Sequence, residues 1–294
     1  VALLGWPGGA ALAQMDDDVG SPVSVTFFHT ADLHENGADL TRIAAFVASR
    51  KDEDPNVLFV DSGDWFNKGD LTALETRGEA MAAMLGASDY DAVIPGNTEH
   101  TFGTERLAEL IDRFGLPFVA ANLAWPEGME PEHAESYRLF ELDGVTVAVI
   151  GTATPDPPGR TWPWTERDEL LEFQPIEGSV RDVVATLEER ADIIVLLTHQ
   201  DMNDDTKLAP ALPGVDIIFG GHDHARLHDV FFARGSDTII QRSGAYGDTF
   251  GELTVVWDDE QIVDPAWRIV VVTDELPVSD AVEEIRQEYL SQAQ

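Results

Sequence analysis

Three observations in the sequence predict an α/β layered fold. First, short apolar runs rich in Val, Ile and Phe alternate with stretches whose apolar residues recur at three- and four-residue intervals, the grammar of strands separated by helices. Second, five of those runs stop directly at Asp, Asn or His: residues 25–34 (VTFFHTADLH), 57–64 (VLFVDSGD), 93–97 (VIPGN), 193–199 (IIVLLTH) and 217–224 (IIFGGHDH). Open α/β sheets bind ligands at the carboxyl ends of their strands, so five such endings describe one site assembled from the whole chain. Third, Asp143-Gly144 separates the apolar runs 139–142 and 145–150 and reads as a β-hairpin turn, which brings antiparallel pieces into the sheets.

In chain order, residues 16–21 are a polar linker and 23–28 the first strand. Leu40, Ile43, Ala44 and Val47 mark the first helix, and a charged loop at 51–56 leads to the second strand, ending at Asp64. A helix is expected over 75–85, a short strand over 92–94, a helix over 104–114 and a fourth strand over 118–121. After the hairpin, residues 155–173 form a loop rich in proline and tryptophan, either a lid or a segment tied to the surface. A helix over 180–190 and strands over 193–197 and 217–219 follow. The glycines Gly220 and Gly221 are expected to let the last of these strands turn sharply. Strands at 238–241, 252–257 and 267–272 and an amphipathic helix at 281–290 complete the chain.

Composition bounds the function. The chain has 294 residues and 44% hydrophobic content, enough for one large α/β domain. Its 18 basic residues against 55 acidic ones give a net charge of -37, and its only lysines are Lys51, Lys68 and Lys207. Such a surface repels nucleic acid and anionic membrane. Self-repulsion on this scale disfavours the compact state in dilute buffer, whereas at roughly 1 M salt the Debye length falls to about 3 Å, so the composition fits a salt-loving source. Cysteine is absent, which excludes disulfides and thiolate ligands. Residues 1–14 (VALLGWPGGAALAQ) read as the end of a secretory h-region with its small-residue cleavage site, or as a weakly apolar tail; on the first reading the protein is periplasmic or extracellular. No stretch approaches the length of a membrane span.

Asp32, His34, Asp64, Asn97, His199, His222 and His224 offer two carboxylates, an amide oxygen and four imidazoles, too many donors for one ion. Two divalent ions sharing a carboxylate use them all, with Asp32 or Asp64 between the ions. Hard oxygen mixed with imidazole suits Mn, Fe or Zn better than Ca or Mg.

These residues resemble the calcineurin-like metallophosphoesterase superfamily, and within it the 5′-nucleotidase branch, over residues 23–272. The pieces that carry the resemblance are D-L-H at 32–34, S-G-D at 62–64, P-G-N at 95–97, L-T-H at 197–199 and G-G-H-D-H at 220–224. The resemblance implies a four-layer α/β/β/α sandwich of two mixed sheets flanked by helices. It implies Asp32, His34 and His224 on one metal, Asn97, His199 and His222 on the other, and Asp64 bridging. The implied chemistry is hydrolysis of phosphomonoesters, nucleotides among the candidates, by in-line attack of a metal-bridging hydroxide. On this reading residues 21–275 are the catalytic domain, 1–20 a signal-peptide remnant and linker, and 276–294 a tail helix.

The sequence departs from the family pattern in two places. The family reads G-N-H followed by an acid after the third strand, the histidine protonating the leaving group and the acid orienting it; here the run is Gly96-Asn97-Thr98-Glu99-His100. A threonine hydroxyl donates no proton near neutral pH, so either His100 takes over, on the expectation that an extended segment puts Thr98 and His100 on one face, or the site serves only esters with good leaving groups. Two-domain nucleotidases also carry a C-terminal domain that holds the base, whereas only residues 277–294 follow here, so no nucleotide specificity is implied. The Thr101-Phe102-Gly103 triplet is similar to the thiosulfohydrolase branch of sulfur oxidation, and a metal-dependent phosphate-binding protein without turnover is a further alternative. Among other residues, His29 reads as a hydrogen-bonded core histidine, His133 and His228 as surface residues, and Asp223 as an acceptor orienting an imidazole. Lys68 reads as a solvated lysine or a phosphate contact. Trp65, Phe66, Trp162 and Trp164 pack, or else roof the site.

Overall fold

Two β-sheets lie face to face because their strands are apolar on both sides. A computed structural model describes residues 21–66, 73–155 and 168–292 of the chain. The elements in order are β1 (Val23–Thr30), α1 (Gly37–Glu53), β2 (Val57–Asp61), α2 (Ala73–Thr76), α3 (Glu79–Gly86), β3 (Ala92–Val93), a 3-10 turn (Glu99–Phe102), α4 (Thr104–Phe114), β4 (Leu123–Ala124), β5 (Tyr137–Leu142), β6 (Val145–Gly151) and β7 (Glu172–Phe173). There follow α5 (Ile176–Leu187), β8 (Ile193–Thr198), α6 (Met202–Leu208), a second 3-10 turn (Ala209–Ala211), β9 (Ile217–Gly220), β10 (Phe231–Phe232), β11 (Ile239–Gln241), β12 (Thr249–Asp258), β13 (Gln261–Val271) and α7 (Asp280–Gln292). One sheet runs β13-β12-β1-β2-β3 and the other β10-β11-β9-β8-β6-β5, both mixed, with β4 and β7 paired separately.

Side-chain alternation sorts the core into three layers of packing. Val25 and Phe27 of β1, Leu58 and Val60 of β2, Val195 and Leu197 of β8 and Ile217 and Phe219 of β9 meet between the sheets. The opposite faces send Phe28 and Phe59 toward α1, α3, α4 and α7, and Ile194, Leu196 and Ile218 toward α5 and α6. The result is the expected α/β/β/α sandwich, and burial on both faces explains why the strands read as unbroken apolar runs. Helix α1 begins at Asn36, whose side chain accepts from the Asp39 N–H, and buries Leu40, Ile43, Ala44 and Val47. The segment read as a tail helix packs through fully buried Val282 into the same cluster as α1 and α3, flanked by Ile285, Tyr289 and Leu290.

Several boundaries differ from expectation. The second strand ends at Asp61, releasing residues 62–64 to a loop. The helix expected over 75–85 is cut in two where Arg77 and Gly78 adopt φ of 51° and 78°. The stretch 118–121 forms isolated bridges from Phe118 to Val93 and from Val119 to Glu135 in place of a ladder. The hairpin stands as read, with Asp143 and Gly144 both at positive φ, 47° and 90°. Of the loop at 155–173, Trp162 and Trp164 lie outside the described residues, as does Lys68. Among the described residues no helix is long and apolar enough to cross a membrane.

Candidate metal centre

The seven residues read as ligands sit in loops just beyond the carboxyl ends of β1, β2, β3, β8 and β9, so both sheets contribute. The loop after β1 is laced to the loop after β2 by three backbone bonds: Asp32 N to Gly63 O (2.8 Å), His34 N to Asp64 O (3.0 Å) and Glu35 N to Trp65 O (2.7 Å). Five of the seven hold left-handed backbone: Asp32 (φ 52°), His34 (47°), Asp64 (58°), His222 (77°) and His224 (55°). Asp and His visit this region more readily than other side chains, and such residues cluster where surrounding structure over-determines them.

The side chains converge. Asp32 Oδ1 lies 3.4 Å from His224 Nε2, 3.8 Å from His34 Nε2 and 3.9 Å from His199 Nε2. The two oxygens of Asp64 divide, Oδ1 standing 3.3 Å from His199 Nε2 and Oδ2 4.0 Å from His34 Nε2. His222 Nδ1 is 3.0 Å from Asn97 Oδ1, which joins the remaining two predicted residues to each other. Backbone carbonyls fix which ring nitrogen faces inward: Phe66 O takes His34 Nδ1 at 3.0 Å and Ser62 O takes His199 Nδ1 at 2.6 Å, leaving each Nε2 toward the carboxylates.

The donor set calls for positive charge. Burial alone would raise the Asp64 carboxyl, but His199, His34 and the Thr98 N–H outweigh it and hold it below the ordinary carboxylate range. Burial likewise opposes a charged His199, yet Asp64 and Asp32 raise its imidazole to about 10. His199 Nε2 is buried and faces Asp64 Oδ1, and Asp32 with His34 and His224, and Asp32 with Asp64 and His199, each hold ligand atoms within 4.8 Å of one another. Buried carboxylates facing imidazole nitrogens in this way fit divalent ions.

Glycine serves close approach here. Gly220 and Gly221 were expected to supply a sharp turn, but neither has positive φ. A Cβ on Gly220 would collide with the guanidinium of buried Arg242, and one on Gly221 would press at 2.9 Å on Asp32 Oδ2, His199 Nδ1 and Ser62 O.

The segment carrying Thr98, Glu99 and His100 is also not as expected. It is a 3-10 turn capped by Thr98 (φ -89°, ψ -23°), in which residues two apart point about 120° away from each other. Thr98 and His100 therefore do not share a face as an extended segment would have made them. Thr98 touches Asp64 Oδ1 through its N–H (2.9 Å) and hydroxyl (3.1 Å). His100 is buried with its ring edge-on to Phe173 at 5.0 Å. Glu99 is a clamp: its carboxylate accepts from the N–H groups of Asp64 (3.0 Å), Trp65 (2.8 Å), Phe66 (3.3 Å) and Gly96 (2.7 Å). Burial, reinforced by Asp64, pushes its carboxyl up to about 8.

The remaining residues fall into place around this centre. His29 is a core histidine, its Nε2 3.0 Å from Ser62 Oγ and its ring stacked on Phe219; burial, with a smaller effect from Arg242, lowers it to about 3. His133 and His228 are exposed. Asp223 spends its carboxylate on the backbone and not on an imidazole: it accepts from the N–H groups of Met202 (2.8 Å) and Ala225 (3.0 Å), with Arg242 Nε at 3.5 Å. Trp65 and Phe66 are fully packed, Trp65 Nε1 donating to buried Asp61 at 2.7 Å. Sequence reasoning missed Tyr246, whose ring centroid lies 5.3 Å from that of His34 and 5.1 Å from that of His224. The glycines on either side, in S-G-A-Y-G-D, were the available signal.

The model of the calcineurin-like phosphoesterase family matches residues 25–226, and the chain belongs to that family. It is 28% identical over 241 residues to the uncharacterized metallophosphoesterase YunD of Bacillus subtilis (strain 168), covering 80% of this chain and 50% of that one. The 5′-nucleotidase precursor of Thermus thermophilus superposes with a TM-score of 0.79 at 25% identity, over 92% of this chain and 59% of the other. The sulfate thiohydrolase SoxB from Thermus shares the fold, with a TM-score of 0.77 at 22% identity over 91% of this chain and 60% of its own. The chain spans about half the length of the YunD protein and of the animal 5′-nucleotidases it matches.

Proposed function

We propose that the chain is a metal-dependent phosphoric ester hydrolase acting on phosphomonoesters, with two divalent ions, Mn, Zn or Fe. Asp32, His34 and His224 would hold one ion, Asn97, His199 and His222 the other, and Asp64 would be shared between them. The observation that carries this reading is Asp64, whose two oxygens face imidazoles of different groups, His199 and His34. When bound, the ions supply Lewis acidity and neutralise phosphoryl charge. The chain's own residues do the rest. Glu99 and Thr98 act as positioning residues, fixing the Asp64 carboxylate through its backbone and its Oδ1. No imidazole stands at position 98, so the leaving group departs without a proton from there, and esters with acidic leaving alcohols are favoured. His100, the alternative donor, packs its ring edge-on to Phe173 and is the residue against which this reading is tested.

Turnover of aryl, alkyl and nucleoside phosphomonoesters, measured with the protein loaded in turn with Mn, Zn and Fe, tests the proposal. Hydrolysis that disappears with chelation and favours aryl esters is expected. Two bound ions with no turnover on any ester would instead mark a phosphate-binding protein, and turnover of thiosulfonate but no phosphate ester would favour the chemistry of the sulfate thiohydrolase neighbour.

We further propose export, with residues 21–275 as the catalytic unit, and adaptation to salt. With a net charge of -37, the melting temperature is expected to rise steeply between dilute buffer and roughly 1 M salt, where the Debye length is about 3 Å. A flat profile would remove the salt argument.

A further inference from the structure

The loop between β11 and β12 does something the metal centre alone does not require. Gly244, Tyr246 and Gly247 all adopt left-handed backbone, with φ of 91°, 62° and 69°. Glycine does this freely, whereas for a bulky residue such as tyrosine a positive φ is an outlier that persists only where its surroundings impose it. The surroundings are plain. The Tyr246 N–H donates to Asp32 O at 2.7 Å, and its carbonyl accepts from Asn36 Nδ2 at 2.5 Å, so the residue is tied on both sides to the loop that carries Asp32 and His34. Its ring is thereby laid against two of the imidazoles, tilted 37° to His34 and edge-on at 83° to His224. The residue nevertheless stays 39% exposed, although His34 is buried. A large aromatic ring fixed by its backbone, partly in solvent and beside two of the proposed ligands, is placed to meet a molecule bound at the centre.

Reach decides what that ring would meet. Its centroid lies 5.3 Å from that of His34 and 5.1 Å from that of His224, so a group attached directly to the ester oxygen of a phosphate held there would come nearest to it. A nucleobase, set off by its ribose, would stand farther away.

We propose that Tyr246 is a specificity-determining residue whose ring stacks on an aryl leaving group bonded directly to the phosphate oxygen. The inference rests on the phosphoesterase reading above and sharpens it. An aryl alcohol is also the kind of leaving group that departs without protonation, as the absence of an imidazole at position 98 favours.

The test measures binding without turnover, so that it stands whether or not hydrolysis is found. Affinities of benzylphosphonate, whose methylene stands in for the ester oxygen of phenyl phosphate, and of methylphosphonate are measured calorimetrically for the metal-loaded wild type, Tyr246→Phe, Tyr246→Leu and Tyr246→Ala. Wild type and Tyr246→Phe are expected to prefer the benzyl compound. In Tyr246→Ala and Tyr246→Leu that preference should shrink by roughly two- to tenfold, the span of aromatic pair energies, while methylphosphonate affinity and bound metal stay unchanged. A benzyl preference untouched by Tyr246→Ala overturns the proposal. So does a parallel loss of both phosphonates and of metal, which would make Tyr246 a brace for His34 and His224. Failure of wild type to hydrolyse any ester, with the benzyl preference intact and ring-dependent, would sink the enzymatic reading and leave this one standing.

Discussion

Replacing Asp64 by asparagine is expected to lower phosphomonoester hydrolysis by more than about 10²-fold, at least the effect of removing one electrostatic donor, and to weaken both ions together. The two carboxylate oxygens of Asp64 face His199 at 3.3 Å and His34 at 4.0 Å, so one side chain serves both groups of imidazoles. An amide keeps the shape but loses the charge, and its nitrogen cannot accept a metal's pull on both sides. The fold should survive, because Glu99 grips the backbone N–H groups of residues 64 to 66 and not the Asp64 side chain. Metal content by elemental analysis and rate by phosphate release are read on the same sample. Two tightly held ions in Asp64→Asn would move the bridge to Asp32, whose Oδ1 lies within 3.9 Å of His34, His199 and His224.

The second large effect concerns proton donation. Thr98→His is expected to raise hydrolysis of alkyl phosphomonoesters relative to aryl esters, by up to the 10²- to 10⁴-fold that general acid catalysis provides, any loss from the missing hydroxyl bond to Asp64 falling on both classes alike. The side chain at position 98 already reaches the centre, its hydroxyl standing 3.1 Å from Asp64 Oδ1. His100, by contrast, is turned within the 3-10 helix and packs its ring edge on Phe173. A companion variant separates the alternatives: His100→Ala should affect alkyl and aryl esters alike. No gain in Thr98→His, together with a selective loss of alkyl hydrolysis in His100→Ala and full metal content, would assign proton donation to His100.

The layers of the fold were legible because burial on both faces writes itself as apolar runs, and the candidate ligands were legible because each run stops at a residue type that has no place in a strand interior. Long helices such as α4 were marked by spacing alone and were found where expected. What escaped was set by contacts far apart in sequence. Residues 118–121 look like a strand, but only single bridges to Val93 and Glu135 are available to them. Glu99 was legible as an acid next to the site, yet its work as a clamp depends on four N–H groups brought together by two loops. The role of Gly220 depends on Arg242, twenty-two positions later, whose guanidinium occupies the space a side chain would need. Tyr246 carries no motif, and its importance comes from a backbone conformation that no spacing reveals.

The left-handed backbone at Asp32, His34, Asp64, His222 and His224 also constrains how such a centre can diversify. At these positions the main chain chooses the alphabet before any metal does. Asp, Asn, His and Gly tolerate the conformation, whereas β-branched side chains are excluded whatever ligand chemistry they might bring. Asn97 and His199 lie outside that set, in ordinary backbone. Ligand chemistry can therefore be exchanged without backbone strain at positions 97 and 199, whereas at the five left-handed positions, His222 among them, the main chain restricts the choice.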